Sequence, residues 1–248
     1  VVEHVKQGFV AVKVDFLTQA DLGKRYGVQG VPSTVVLDAA GAKLAQIDGI
    51  FKPEVYVWEL TEIVDDDRRF REGKAALEKD PEDARAAFEV GRVHRLRGEH
   101  DAALPLIEKA LERDPQNALG FAAEAHWHMS WSLLNAGNLK GAQHHNDQIA
   151  VLDSEDKLGY RDDARFMTCE LLVRKKDWAT AEAELSALLK EFPDCDDAAH
   201  AWLYLGMTWL KLKDKEKALE AFETAAKRFP DSPWGIYATR TMIPQLKK

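Results

Sequence analysis

Cysteine is scarce in this sequence, lysine and arginine (34) are outnumbered by aspartate and glutamate (42), and there is no long hydrophobic run. The two cysteines, Cys169 and Cys195, are too few for a disulfide framework. A net charge of −8 at pH 7 argues against a nucleic-acid-binding protein, which normally presents a basic face. No apolar run approaches the ~18 residues of a membrane helix, so we expect no membrane span. The whole sequence is 46% hydrophobic and 31% charged, which is the composition of a globular chain.

The first residue is Val1 rather than methionine, and no basic or apolar leader precedes it. We expect either that the sequence begins inside a longer protein or that a leader has been removed. The compartment is therefore open. We favour the cytoplasm, with the periplasm as the alternative.

Residues 1–64 alternate β-rich and helical patterns. The β-formers Phe9, Val10, Val12 and Val14 predict a strand within Gly8–Asp15. The pattern then predicts a helix over Thr18–Val28, strands at Ser33–Asp38 and Ala42–Ile50 with a turn at Asp38–Gly41, and a helix that begins at Pro53. We expect a small α/β module at 1–64, followed by a connecting helix or linker at 65–82.

From about residue 80 the pattern has the helical period, and the sequence repeats itself. Four segments align without gaps: Ala84–Asn117, Ala123–Asp156, Asp162–Cys195 and Ala199–Ser232. One slot of the first helix holds the small residues Gly91, Ser130, Cys169 and Gly206, and one slot of the second helix holds Ala103, Ala142, Ala181 and Ala218. Helices pack closely where small residues let their backbones approach, so these slots predict one packed helix pair in each repeat.

A proline or serine follows the second helix of each repeat, at Pro115, Ser154, Pro193 and Pro230. The four segments resemble the tetratricopeptide repeat (TPR) family, the fourth most closely and the second least. This resemblance implies a mainly α fold. We expect a TPR helical solenoid of four repeats at 83–232, with a capping helix at 233–248, preceded by the α/β module.

The N-terminal module resembles the second half of a thioredoxin-like domain, through "FVAVKVD", "KRYGVQGVPSTVVLD", "GAKL" and "IDGI". The resemblance implies a cis peptide bond before Pro32 and a Val31 backbone exposed to hold a polypeptide. The family's Cys-x-x-C is absent, and so is the strand that would pair with both Phe9–Asp15 and Thr34–Asp38. Because unpaired inner edges are costly, we expect about 40 to 60 further residues upstream. The alternative is strand exchange between chains.

The TPR resemblance implies a concave face, lined by the first helix of each repeat, that binds peptides. The residues that map to this face are Arg85, Phe88, Arg92, Arg95, Trp127, Trp131, Leu134, Phe166, Glu170, Arg174, Leu203 and Met207. Trp127 and Trp131 share a helix face, and an exposed aromatic pair near arginines would anchor a partner. The alternative is that both tryptophans pack inside the array. The family's clamp for acidic peptide tails uses a lysine and asparagines, and Phe88 and Arg92 stand in two of those slots. We therefore expect a mixed apolar and acidic peptide.

The cysteines and histidines do not predict a chemical site. Cys169 lies in a small packing slot, and the carboxylates around Cys195 in "FPDCDD" should raise the pKa of its thiol. His126, His128, His144 and His145 lack the three- or four-residue spacing of metal ligands on a helix. We expect no metal, no cofactor and no dithiol chemistry from this sequence.

We therefore expect a binding protein with a protein or peptide partner and no nucleic-acid partner. Its role would be that of an adaptor or co-chaperone-like accessory protein, and it resembles bacterial thioredoxin–TPR proteins. The alternative is a thiol–disulfide oxidoreductase whose Cys-x-x-C lies upstream of Val1 and whose TPR repeats select substrates, so whether the protein is an enzyme stays open. A third reading is a TPR scaffold for an assembly.

Overall fold

The computed structural model describes residues 1–28, 30–49, 52–155 and 157–247 and is mainly helical. The chain divides into two compact units, an N-terminal unit Val1–Arg113 and a C-terminal unit Asp114–Lys248. Within the described ranges, no helix is long and apolar enough to cross a membrane.

The N-terminal unit combines a β-hairpin with helices. Its elements are α1 (Val2–Gly8), α2 (Ala20–Tyr26), β1 (Ser33–Leu37), β2 (Lys43–Asp48), α3 (Pro53–Lys79), α4 (Ala84–Leu96) and α5 (His100–Arg113). The strands β1 and β2 are antiparallel. Asp38 forms the turn between them, because its carboxylate accepts hydrogen bonds from the amides of Ala40 and Ala42. The predicted hairpin is therefore confirmed, although its expected end at Ile50 lies outside the described residues.

The predicted strand within Gly8–Asp15 is wrong. Its residues from Phe9 onward form no strand, and Val10 and Val12 are 95% and 77% exposed. A β-rich segment becomes a strand only when a neighbour takes its hydrogen bonds, and among the described residues β1 pairs only with β2. Of the expected thioredoxin-like module, the described residues show two short strands, β1 and β2. The core beneath them is formed by Val36, Ile47 and Leu60.

The helix α3 runs without interruption through the expected boundary at residue 64. It packs on α4, where a Cβ on Gly73 would lie 2.8 Å from a side-chain carbon of Val90. Asp67 of α3 accepts a hydrogen bond from Arg97, which follows α4, at 3.0 Å. Pro53 occupies the first turn of α3, as the sequence predicts.

The C-terminal unit is built from three helix pairs and a terminal segment. The pairs are α6 (Ala122–Asn135) with α7 (Leu139–Leu152), α8 (Arg161–Lys175) with α9 (Trp178–Glu191), and α10 (Ala198–Lys211) with α11 (Lys215–Arg228). The terminal segment consists of α12 (Pro233–Tyr237), a π-helical turn (Ala238–Met242) and α13 (Ile243–Leu246). Its Ala238 packs on Phe222 and Ala225 of α11, as expected of a cap. Lys248, the expected end of that cap, lies outside the described residues.

The small slots predicted from the repeat are the contact points of the helix pairs. Ala103, Ala142, Ala181 and Ala218 are all fully buried. A Cβ on Gly206 would lie 2.5 Å from the Phe222 ring, so the backbone of α10 lies directly against this side chain. Ser130 fills the same slot in the second repeat and donates a hydrogen bond to the Ala142 carbonyl oxygen at 2.9 Å.

The turns inside the helix pairs share a left-handed residue. Gly98 and Gly137 have φ of 77° in the first two pairs. Lys176 and Lys213 take φ of 61° and 67° at the corresponding turns of the last two pairs, so the same turn forms there without glycine. The second helices α7, α9 and α11 each begin after a side-chain cap, from Asn138, Asp177 and Asp214.

The second repeat is the least typical in sequence, yet it forms a helix pair. Its Asn146 stands where a large apolar residue is usual, and it is buried. The Asn146 amide donates hydrogen bonds to the Ala164 carbonyl oxygen at 3.0 Å and to the Thr168 hydroxyl at 2.9 Å, both on α8. Polar bonds therefore join α7 to α8 where apolar packing is usual. The expected end of this repeat, Asp156, lies outside the described residues.

Candidate functional site

Four of the residues predicted to line an open binding face are core residues instead. Phe88, Leu134, Phe166 and Leu203 are between 0% and 3% exposed. Phe88, Phe166 and Leu203 occupy the same slot of the first, third and fourth repeats, so this slot faces the interior of the helix pairs there. These four residues therefore stabilise the fold and offer little surface to a partner.

Three of the predicted arginines, Arg85, Arg92 and Arg95, lie in the N-terminal unit. Arg85 and Arg92 have carboxylates as neighbours. The Arg92 side chain is only 11% exposed and forms ion pairs with Asp66 and Glu89. Arg85 is exposed and lies 3.9 Å from Glu89, and Arg95 is half-buried. Arg92 therefore joins α4 to α3 and is not available to a ligand.

The tryptophan pair lies in the C-terminal unit and is half-buried. The rings of Trp127 and Trp131 meet edge to face with centroids 6.5 Å apart. Trp131 packs against the core residues Leu134, Met167 and Leu171. The expected open pair is thus partly buried in the helix packing. The Trp127 indole lies beside the carboxylate of Asp163 and acts to lower its pKa.

Asp163 belongs to a group of acidic side chains that we call the carboxylate cluster: Asp162, Asp163, Glu170, Asp196 and Asp197. Asp162 and Asp163 lie in the first turn of α8, and Asp196 and Asp197 immediately precede α10. Burial, followed by repulsion from its acidic neighbours, raises the pKa of Asp163 to about 7. The same causes raise the pKa of Asp197 to about 6. Asp197 stands at the N-cap of α10 yet makes no capping hydrogen bond.

Glu170 is the most buried member of the carboxylate cluster, at 2% exposed. Its Oε1 accepts a hydrogen bond from the Arg174 guanidinium at 2.8 Å, so Arg174 pairs with a buried carboxylate while its own side chain stays 41% exposed. Burial and the neighbouring Glu170 carboxylate raise the pKa of Tyr204. The cluster therefore continues inward from the α8 and α10 termini towards Tyr204.

Aromatic rings extend beside the carboxylate cluster on α10 and α12. The His200 imidazole stacks on the Trp234 indole with centroids 3.9 Å apart, and it contacts the Tyr204 ring at 4.2 Å. Trp234 remains 38% exposed, and Met207, three residues beyond Tyr204 on α10, is 37% exposed. We call the exposed parts of Trp127, His200, Met207 and Trp234, together with the carboxylate cluster, the acidic–aromatic face.

The loop before β1 has the geometry that the thioredoxin-like resemblance implies. The Val31–Pro32 peptide bond is cis, and Val31 is 66% exposed. The Pro32 carbonyl oxygen accepts a hydrogen bond from the Gly49 amide at 2.9 Å, which ties the loop to the end of β2.

The histidines of the second repeat meet, but not as a metal site. The Nδ1 atoms of His126 and His145 lie 2.8 Å apart across the α6–α7 pair. Burial lowers the pKa of both imidazoles to about 4, so both rings are neutral at pH 7. Within the described part of the chain, no group of three or more histidine, cysteine, aspartate or glutamate side chains could hold a metal ion.

Neither cysteine is placed for thiol chemistry. Cys169 is buried in its packing slot, and burial raises the pKa of its thiol to about 12. Burial and the neighbouring carboxylates, Asp162 first, raise the pKa of Cys195 to about 11. Both thiols are therefore protonated and unreactive at neutral pH.

Comparison with known proteins identifies the repeats. The family model described as tetratricopeptide repeat matches residues 67–118 and 169–233, a little under half of the chain. The unmatched interval contains the helix pair α6–α7. No curated protein matches this sequence.

Similar solved structures have low sequence identity, and YrrB and TTC0263 among them are described as TPR proteins. The structure of YrrB, described as a TPR protein with an unusual peptide-binding site, is 22% identical with a TM-score of 0.55, covering 73% of this chain and 87% of its own. MamA is 16% identical with a TM-score of 0.54, covering 72% and 95%. TTC0263, a thermophilic TPR protein of Thermus thermophilus, is 16% identical with a TM-score of 0.50, covering 75% and 94%. At these identities the likeness shows the fold.

Proposed function

We propose that this chain, which carries tetratricopeptide repeats in the fold of TPR proteins, is a protein-binding scaffold. Its binding surface is the acidic–aromatic face of the C-terminal unit, on the first helices of the repeats. The partner is a polypeptide segment in an extended or irregular conformation. YrrB, which shares this fold, is described as having a peptide-binding site, and this supports the assignment by analogy.

One observation carries the proposal. Large side chains stay partly exposed next to a fully packed core, although solvent contact brings them no benefit. Met207 is 37% exposed while its helix neighbours Leu203 and Leu205 are 3% and 6% exposed. Exposed aromatic and methionine side chains rimmed by charged groups are typical of protein-interaction surfaces.

The finer proposal is an adaptor or co-chaperone-like role, in which the N-terminal hairpin module is a second contact point. The exposed Val31 ahead of β1 supports a place where a polypeptide can be held. The division into a module at 1–64, a connection at 65–82, repeats at 83–232 and a cap at 233–248 belongs to this proposal. The oxidoreductase alternative requires a Cys-x-x-C, which is not part of this sequence.

Site-specific photo-crosslinking tests the location of binding without changing charge. One sample carries Met207→benzoylphenylalanine on the acidic–aromatic face. The matched control carries Val151→benzoylphenylalanine on α7, where the native side chain is 72% exposed. Each full chain is illuminated with a synthetic library of unstructured dodecapeptides, and adducts are measured by mass spectrometry. We expect adducts at position 207 and few at position 151. Equal yields, or none at either position, would overturn the proposal.

A further inference from the structure

The carboxylate cluster gathers more negative charge than its surroundings neutralise. The groups that shift the pKa of Asp163 are desolvating protein atoms, three other aspartates and the Trp127 indole. Those that shift the pKa of Asp197 are burial and three acidic side chains. Of the nearby arginines, Arg165 pairs with Glu191 outside the cluster, and Arg174 pairs with Glu170 inside it. Like charges held together in this way cost free energy unless a cation joins them.

A second observation comes from Glu170, which lies at the inner end of the cluster. Its side chain is only 3% exposed, and one oxygen accepts a hydrogen bond from Arg174. The other oxygen, Oε2, is buried with no hydrogen-bond partner among the described residues. The charge of Glu170 shifts the pKa of Asp197, His200 and Tyr204, so its Oε2 lies in the electrostatic environment of the carboxylate cluster. A buried carboxylate oxygen without a donor is costly and marks a place where a donor can bind.

The rings around the cluster suit the aliphatic stem that accompanies a positive charge. Trp127 lies against Asp163, and the stacked His200 and Trp234 rings lie on the helices that follow Asp197. Lysine and arginine present a methylene chain that packs on aromatic faces and a charged head that pairs with carboxylates. The face therefore combines the two contacts that such a side chain makes.

We propose that the acidic–aromatic face selects a basic polypeptide segment, whose lysine or arginine side chain pairs with Asp163 and Asp197 and lies between Trp127 and the His200–Trp234 stack. This inference rests on the proposed function and names its partner class. It replaces the expectation of a mixed apolar and acidic peptide, because an acidic segment would add charge to a cluster that already repels itself. Of the arginines on which that expectation depended, Arg92 and Arg174 already pair with carboxylates, and Arg85 lies 3.9 Å from Glu89.

The proton affinity of the cluster gives binding a pH dependence. Asp163 has a raised pKa and is therefore partly protonated at neutral pH, and the groups that face it are Asp162, Asp196, Asp197 and Trp127. Glu170 also faces Asp197, and Cys195 lies among the same aspartates. A bound cation favours the ionised form, so binding releases a proton and strengthens as the pH rises through about 7.

Three fluorescein-labelled peptides of equal length test this inference. They are identical except that every third position carries lysine, norleucine or glutamate. Their affinities for the full chain are measured by fluorescence anisotropy at pH 8 and at moderate salt. We expect the lysine peptide to bind at least about tenfold more tightly than the norleucine peptide, and the glutamate peptide to bind most weakly.

Two variants locate the effect. Asp163→Asn combined with Asp197→Asn keeps the side-chain shape and removes two charges of the cluster, and we expect about a tenfold loss of affinity for the lysine peptide. The matched control is Asp194→Asn, in the same loop, where the side chain is 82% exposed and pairs with Arg228. We expect this control to retain affinity within about twofold.

The outcomes separate this inference from the proposed function. If the norleucine or glutamate peptide binds as tightly as the lysine peptide, or if Asp194→Asn weakens binding as much as the double variant, the basic-segment inference is wrong. The proposed function still stands in that case if the dodecapeptide library crosslinks at position 207. If the library gives no such adducts and none of the three peptides binds, both are wrong.

Discussion

His126 and His145 face each other across the α6–α7 pair with their Nδ1 atoms 2.8 Å apart, and this contact requires that at least one ring stays neutral and accepts the hydrogen bond. Burial, aided by His144, lowers the pKa of both to about 4. The unfolded chain titrates near 6.5, so between about pH 6.5 and 4 it binds more protons than the folded chain. Stability contributed by this pair is therefore complete above the unfolded pKa and is lost as the pH falls.

The first prediction concerns this pair. His126→Leu combined with His145→Leu removes the titration while keeping a side chain in the contact. At about pH 5 we expect the double variant to be more stable than the parent by about 1 kcal/mol, a figure discounted because both rings are partly exposed. At pH 8 the difference should be small. Urea unfolding at the two pH values measures it, and His144→Gln, which removes only the secondary repulsion, should reduce the pH dependence slightly because burial is the larger cause.

The second prediction concerns Asp163, whose shift has the opposite sign. Its folded-state pKa of about 7 lies above the ordinary value of 3.8, so the folded chain binds more protons between these values. Stability from this carboxyl is therefore present at low pH and lost as the pH rises to 7. Asp163→Asn mimics the protonated form, because the amide is neutral and has nearly the same shape as the carboxyl group. We expect its Tm to exceed that of the parent by about 2–4 °C at pH 8 and to match it near pH 4.

The control for this prediction is Asp194→Asn, which removes an equal charge outside the carboxylate cluster. Differential scanning calorimetry at both pH values compares the two variants. A lower Tm for Asp163→Asn at pH 8 would show that the ionised carboxylate stabilises the fold, contrary to our account.

The third prediction concerns the turns at Lys176 and Lys213, which have positive φ without glycine. Glycine takes this conformation without the clash between Cβ and carbonyl oxygen, so Lys176→Gly should stabilise the chain by about 1 kcal/mol. Lys227→Gly, within α11, should instead destabilise it by up to about 1 kcal/mol. Guanidinium unfolding of the two variants decides the sign at each position.

The fourth prediction concerns the contact of Gly206 with Phe222. A methyl group added at Gly206 would overlap the ring, so Gly206→Ala should cost about 1–3 kcal/mol. Phe222→Leu in the same chain should recover part of this loss, which a double-mutant cycle measures as a coupling energy. Gly8→Ala is the control, because a Cβ there would meet nothing within 4 Å. Independent, additive effects at positions 206 and 222 would contradict the close approach.

Much of the fold could be predicted because the repeat makes each position visible four times. The alanines at the helix contacts, the residues that end the second helices and the Asp38 hairpin turn are local signals, and the structure confirms them. The strand within Gly8–Asp15 could not be judged locally, because a strand also depends on hydrogen bonds from a neighbour. Val10 and Val12 are β-formers, yet they are exposed and outside any strand, because no described strand pairs with their segment.

The site was harder to predict than the fold. The family resemblance places Trp127 on an open face. Its slot holds Phe88, Phe166 and Leu203 in the other repeats, and this apolar pattern indicates burial. The carboxylate cluster joins two sequence-distant pairs, Asp162–Asp163 and Asp196–Asp197. The run "FPDCDD" contains one of these pairs, Asp196–Asp197, but the sequence does not show that the other pair lies beside it. Only the packing of α8 beside α10 brings the two pairs together.

The central claim is that a basic segment binds beside Trp127, and the indole N–H resonance of this residue tests it most directly. Trp127→Phe assigns the resonance in a ¹H–¹⁵N spectrum of the full chain, and Trp178, at the start of α9, serves as the internal reference. Adding the lysine peptide at pH 8 should shift the Trp127 resonance in a saturable manner and leave Trp178 unchanged, while the glutamate peptide should shift neither. An unchanged Trp127 resonance with saturating lysine peptide, or equal shifts with both peptides, would contradict the account.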